Sequence, residues 1–302
     1  MSVVIAGGSG FIGRHLSASL VADGHQVVVL SREAAQSPEQ GVQVVPWDAR
    51  SVSDDWMRPL GGAEAVVNLA GASIGSGRWT RRRKAEILSS RVDATAAIVQ
   101  ALGRMPAAER PGALINASGI DFYGDRGDEP ITEESAAGHS FLAGVCQQWE
   151  AAAKQAEPLG VRVVLVRTAL VLGRGAPAFR LMVLPFRLYA GGPLGNGRQW
   201  FTWIQIDDLV GIYRLALEMG ALRGSLNAVA PDVKRQREVA REIGRVMRRP
   251  AVMPAPAPLL RLVLGDQSEL LLHGRRALPH KVEQLGYRFR FPGLREALTN
   301  TL

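Results

Sequence analysis

The amino-acid sequence predicts a doubly wound parallel α/β sheet with a smaller C-terminal lobe. Three observations carry this. Short β-branched runs alternate with stretches of helical periodicity over most of the chain. The runs are nearly all apolar, as strands covered on both faces must be. A glycine-rich stretch, AGGSGFIG (6–13), separates the first run from the first helical stretch, a place where flexibility would otherwise cost stability.

Taken in order, VVIAG (3–7) reads as the first strand, and Ile12, Leu16 and Leu20 mark one helix face closed by Gly24. QVVVL (26–30), VQVVPW (42–47), AVVNLAG (65–71), GALINAS (112–118) and VRVVLVRTALVLG (161–173) follow, each separated by enough chain for a helix. Right-handed crossovers between such strands give the doubly wound arrangement. Beyond residue 175 the rhythm loosens: GGPLGNG (191–197) reads as loop, IDDLVGIYRLALEMG (206–220) as helix and SLNAVAP (225–231) as a short strand. PAPAP (254–258) marks a joint before a leucine-rich helix around LLRLVLG.

Composition bounds the rest. The 302 residues suffice for one large domain or a main domain with an appendage. No apolar run is long enough to span a bilayer, and Met1 leads directly into a strand, so no leader and no membrane partner are expected, with a cytoplasmic setting as default. The single cysteine, Cys146, excludes an internal disulfide or a cysteine-based metal cluster. The five histidines lack paired ligand spacing, and no metal is expected. His15, on the first helix, reads as surface or second-layer.

The net charge is +8, and all of the excess lies beyond residue 220, where 15 basic residues face 7 acidic ones. No nucleic-acid motif accompanies it, so nucleic acid is not an expected partner. In YRFRF (287–291), alternating rings and arginines suit a half-buried strand. Oligomeric state is left open.

The glycines have a physical role in this frame. Gly8, Gly10 and Gly13 satisfy G-x-G-x-x-G, and Gly7, Gly10 and Gly13 satisfy G-x-x-G-x-x-G, between a strand and a helix. Missing Cβ atoms let the backbone approach a pyrophosphate, and the helix start at Phe11 and Ile12 offers free N–H groups and a partial positive charge. The second strand runs into Ser31 and Arg32, a hydroxyl and a guanidinium suited to the 2′-phosphate of NADP. Glu33 lies beyond the strand end and reads as solvated. Asp48 either contacts adenine or caps the next helix.

GGSGFIG, NLAGA (68–72), SGIDFYG (118–124), RTALVLG (167–173), WIQIDDL (203–209) and GSLNAVAP (224–231) resemble the extended short-chain dehydrogenase/reductase superfamily, of Rossmann type. RWTRRRKAEILSSR, FLAGVCQQWEAAA, PFRLYAGGPLGNG and the tail from Arg249 narrow the likeness to its atypical YfcH-like epimerase branch. The resemblance implies that Leu69 and Ala70 lie along the adenosine and ribose, that Glu86 and Arg91 reach toward the cofactor, and that Val171 lines the nicotinamide side. It also implies a nucleotide-binding domain over 1–175 and 200–230, and a substrate lobe over 176–199 and 231–302.

The superfamily's Tyr-x-x-x-Lys pair is absent. Tyr123, Tyr189, Tyr213 and Tyr287 are followed four residues on by Gly127, Pro193, Leu217 and Phe291, and Leu142 and Cys146 stand where the pair would. Ser118 at a strand end, with Asp121 and Tyr123 on the loop beyond, are the candidate proton-transfer residues. A histidine that the likeness places in W-I-x-I-D-D is replaced by Gln205. Trp200 and Trp203 are pocket walls or core. The expectation is an NADP(H)-dependent oxidoreductase or epimerase-like enzyme acting on a small polar substrate, anionic or sugar-like. The alternative is a non-catalytic NADP(H) sensor. GASIG (71–75) adds a third option, a serine hydrolase using Ser73.

Overall fold

The computed structural model describes residues 1–32 and 41–302. Its central sheet contains β1 (Ser2–Ala6), β2 (Gln26–Ser31), β3 (Val42–Pro46), β4 (Ala65–Asn68), β5 (Ala113–Gly119), β6 (Arg162–Thr168) and β7 (Gly224–Ala228). All pair in parallel, in the spatial order β3-β2-β1-β4-β5-β6-β7. The order reverses between β1 and β4. Ligands of such sheets bind in the crevice beyond the carboxyl ends at that point.

Alternate side chains of each strand enter opposite cores, which explains the continuous apolar runs. Val3 and Ile5 pack with Leu16 and Leu20 of α1 (Phe11–Ala22). Val4 and Ala6 pack instead with Ala94, Ile98 and Leu102 of α2 (Arg81–Arg104). Thr80 caps α2 by accepting from Arg83 N–H at 3.2 Å, and Ser140 caps α3 (Phe141–Lys154) by accepting from Ala143 N–H at 3.2 Å.

The helix α5 (Ile206–Glu218) adds Leu209, Ile212 and Tyr213 to the α1 side, while a third core unites α4 (Pro177–Arg187), α6 (Gln236–Met247) and the C-terminal segment. Phe179, Val183 and Phe186 of α4 meet Val239 and Ile243 of α6, with Trp203, just before α5, fully buried among them. The C-terminal segment adds the eight-residue helices α7 (Ala257–Leu264) and α8 (Leu294–Thr301) besides shorter turns of helix, and α8 supplies Leu294 and Leu298 to this core. Trp203 is therefore core. Trp200 is half-buried, with the Arg235 guanidinium 3.8 Å over its ring.

The structure corrects two expected elements. The run 161–173 is not one strand: it leaves the sheet at Ala169, and Leu170–Leu172 pairs with Trp203–Gln205 in a separate ribbon. Periodicity cannot show this break, because both halves are apolar. YRFRF keeps its alternation of half-buried rings and exposed arginines but is not a strand. The buried Asp208 carboxylate takes the backbone N–H groups of Arg290 at 2.7 Å and Phe291 at 3.0 Å, which a strand partner would otherwise need.

Candidate active site

Gly7 has φ +74°, and a Cβ there would stand 2.9 Å from the Ala70 nitrogen. Only glycine lets β1 turn this close to the end of β4. Gly10 begins α1 with no side-chain cap and no acid in the first turn. The first helical bond runs from Arg14 N–H to Gly10 O at 3.0 Å, so the N–H groups of Phe11, Ile12 and Gly13 precede the helix's own ladder. The Ser31 hydroxyl donates to the Ser9 hydroxyl at 3.0 Å, tying the end of β2 to the glycine turn. Arg32 follows at once and is exposed. Together the cradle, the uncapped helix start and the cation fit a phosphorylated dinucleotide.

Glu33 lies outside the described residues. Asp48 binds its own turn, accepting from Arg50 N–H and Ser51 N–H at 2.9 Å each, and these bonds with the Ser51 hydroxyl hold its carboxyl below the usual range. The next helix, Asp54–Met57, starts after Ser53 instead, so Asp48 does not cap it.

The end of β4 is set by a buried amide. Asn68 donates to Thr95 at 2.9 Å and to Asn116 at 2.7 Å, and accepts from Ala70 N–H at 3.1 Å. Ala70 is thus fixed against Gly7, with half-buried Leu69 beside it. Arg91 on α2 binds the carbonyls of Ala72 at 3.0 Å and Ile87 at 2.9 Å and lies 5.1 Å over the Trp149 ring. Burial lowers its pKa. Glu86 is exposed and paired with Arg83 at 2.8 Å. Val171 is half-buried in register with Ile204. The Phe11 ring packs against the chain just beyond, where a Cβ on Gly173 would stand 2.7 Å away.

The three proton-transfer candidates occupy different environments. Ser118, next to last in β5, donates to Glu150 Oε1 at 2.7 Å. Glu150 in turn takes two 2.8 Å bonds from Arg167, both side chains being buried. The Tyr123 hydroxyl accepts from Arg167 at 2.8 Å and donates to Asn227 at 2.7 Å. Tyr123 is 0 % exposed, and burial raises its pKa. Asp121 keeps some access, 19 % exposed, and pairs with Arg275 of the C-terminal segment at 2.6 Å.

Arg275 is placed by its neighbour Arg276, which opens a short strand paired with Pro130–Ile131. Leu142 is buried with Trp79, Ile87 and Val145. The Cys146 thiol, also buried, is pushed up to about 12 by desolvation, with Asp121 adding to the effect.

Sequence reading did not single out Glu150, Arg167, Asn227, Arg275 or Asn68. A signal existed for three of them: Asn68, Arg167 and Asn227 interrupt otherwise apolar strand runs, and a polar group so placed must find a partner.

The hydrolase option lacks its elbow. Ser73 sits in an irregular loop whose helix begins only at Arg81, and its carbonyl is engaged by Arg83. Among the described residues, no group of three metal-ligating side chains occurs. His15 is half-buried, with its ring 4.6 Å from Phe11. Gln205 caps α5, accepting from Asp207 N–H, and reaches Asn300 at 3.1 Å.

Three comparisons bear on the site. A curated epimerase family protein, the chloroplastic SDR39U1 homologue of Arabidopsis thaliana, is 36% identical over 299 residues, covering 99% of this chain and 86% of its own. Epimerase family protein YfhF of Bacillus subtilis is 35% identical, covering 100% of this chain and 98% of its own. The crystal structure of human epimerase family protein SDR39U1 with NADPH superposes with TM-score 0.86 at 36% identity, covering 99% and 98% of the two chains. The family profile described as NAD dependent epimerase/dehydratase matches residues 3–228, and a domain of unknown function, DUF1731, matches residues 255–301. The chain belongs to the NAD-dependent epimerase/dehydratase family.

Proposed function

We propose that this protein binds NADP(H) and is an oxidoreductase or epimerase-like enzyme acting on a small polar substrate. One observation carries the reading: Ser31 ties the end of β2 to the glycine turn before the uncapped start of α1, and the exposed Arg32 is the next residue along the chain. A guanidinium there suits a 2′-phosphate, with charge-assisted bonds. The human relative crystallised with NADPH supports the same preference. Gly7, Gly10, Phe11, Ile12 and Gly13 would hold the pyrophosphate. Ser31 and Arg32 would hold the adenosine phosphate, and Leu69, Ala70, Arg91 and Val171 would lie along the remainder. Glu86, turned to solvent, would act through its pair with Arg83.

A bound nicotinamide supplies hydride donation or acceptance. The matching proton belongs to Asp121, the partly exposed member of the candidate trio, with Arg275 orienting its carboxylate. Ser118 would position the substrate's oxygen from the adjoining strand end. Tyr123 anchors the strand ends instead, since its hydroxyl is wholly engaged in the core. The division into 1–175 with 200–230 and 176–199 with 231–302 follows the resemblance, and the core around α4, α6 and α8 joins the two parts by taking in Leu172, Trp203 and Ala230. The resemblance to the YfcH-like branch rests on RWTRRRKAEILSSR, FLAGVCQQWEAAA, PFRLYAGGPLGNG and the tail from Arg249.

A thermal-shift comparison of NADPH, NADP, NADH and NAD tests the cofactor, because a ligand bound only by the native state raises Tm. NADPH should stabilise the protein most. Indifference to millimolar NADPH, or preference for the unphosphorylated form, overturns the reading.

A non-catalytic NADP(H) sensor is the second reading. It is favoured by the apolar burial of Leu142 and the neutral Cys146 thiol at the positions of the usual pair. Turnover of NADPH with any carbonyl in a metabolite panel excludes it.

A further inference from the structure

The C-terminal lobe carries a surface that the nucleotide site does not explain. On α4, Phe179, Val183 and Phe186 face the core, while Leu181, Leu184 and, just past the helix end, Leu188, spaced three and four residues apart, face outward. The chain after α4 runs beside residues 251–255: Gly191 bridges Ala251 and Leu194 bridges Ala255. Met253 N–H donates to Gly191 O at 3.0 Å. Val252 and Met253 thereby extend the patch toward α7, whose sequence is APLLRLVL and in which no residue is buried. Leu262 there is exposed too. The exposures of these six side chains run from 47 % to 78 %. So many exposed aliphatic groups on adjoining elements mark an interaction surface.

Along the two segments that carry it the charge has one sign. No Asp or Glu occurs from residue 158 to 206, nor from 243 to 265. The exposed cations on these segments include Arg180, Arg187 and Arg261. Arg249 lies 4.1 Å over the ring of exposed Tyr189, an amphipathic pair of the kind that sits well at a lipid headgroup layer. A second copy would set arginine against arginine, so the partner must be anionic. With such exposures the leucines stand out from the surface rather than line a groove, which suits a yielding partner. We propose that this face docks on an anionic lipid bilayer, the aliphatic side chains entering the headgroup boundary and the arginines meeting lipid phosphates. No helix among the described residues is long and apolar enough to cross a membrane. The contact is therefore in the plane of the surface. The expectation of no membrane partner came from the absence of a spanning run, which does not bear on such contact.

Flotation of the full chain with vesicles of equal parts phosphatidylglycerol and phosphatidylcholine, against phosphatidylcholine alone, tests this. The protein should float with the anionic vesicles at low salt, less at high salt, and not with neutral ones. Arg180→Gln and Arg261→Gln should each weaken binding about fivefold, and Leu188→Glu with Leu262→Glu should abolish it. Because all four positions are exposed, Tm serves as the folding control, and the arginine variants carry the test if the leucine variants unfold. Failure to float with anionic vesicles overturns the proposal. So does equal flotation with neutral ones. Binding to polyglutamate without vesicle binding would indicate an acidic protein instead, and self-association lost in the leucine variants, without flotation, would indicate a second copy.

Discussion

The hydroxyls of Ser9 and Ser31 meet at 3.0 Å, joining the turn after the first strand to the end of the second. Arg32 follows this bond directly, and among the described residues no bond or ion pair engages its guanidinium. Arg32→Ala should therefore weaken NADPH binding by about tenfold to a hundredfold, the worth of charge-assisted hydrogen bonds. NADH binding should hardly change. Isothermal titration of both nucleotides with both proteins measures the difference, and an equal loss for the two would remove Arg32 from phosphate recognition.

Asp121→Asn should lower kcat about a hundredfold or more, as expected for loss of a proton-transfer group. The Tm increase given by NADPH should persist, since Asp121 lies outside the cradle. Full activity in this variant would move the proton elsewhere.

Breaking the Glu150–Arg167 pair should be expensive. Both side chains are buried and doubly bonded, so Glu150→Gln leaves a guanidinium without its counter-ion and should cost about 3–5 kcal/mol. Denaturant unfolding measures it.

Cys146 should resist thiol reagents in the folded protein. Its thiol is buried and pushed up to about 12, so almost no thiolate exists near neutral pH. Labelling with a maleimide should follow unfolding, and prompt labelling of the native protein would contradict the burial.

Glu242 provides a pH-dependent contribution. Hydrogen bonding to Arg295 holds its carboxyl below the usual 4.5. A depressed folded value means that the stabilisation is fully present above pH 4.5 and is lost as pH falls through the folded value. Arg295 is largely exposed, so Glu242→Gln should cost less than ~1 kcal/mol at neutral pH. Thermal melts of the two proteins should converge on acidification.

By itself the sequence determined the parallel sheet, the order of its seven strands along the chain and the glycine cradle. Those features are written in local terms: runs of β-branched residues, helical spacing, and glycines where a Cβ would clash. That Ser31 ends a strand with Arg32 directly after it was legible for the same reason. What only the tertiary structure decided depends on residues far apart in the chain. Arg275 reaches Asp121 from 154 positions away, and Arg167 joins Glu150 to Tyr123 across separate elements. The strand expected at 287–291 gave way to Asp208, about eighty positions earlier. The leucines of α7 show the same limit: their composition suggests burial, but exposure depends on what packs above them, and periodicity carries no information about that.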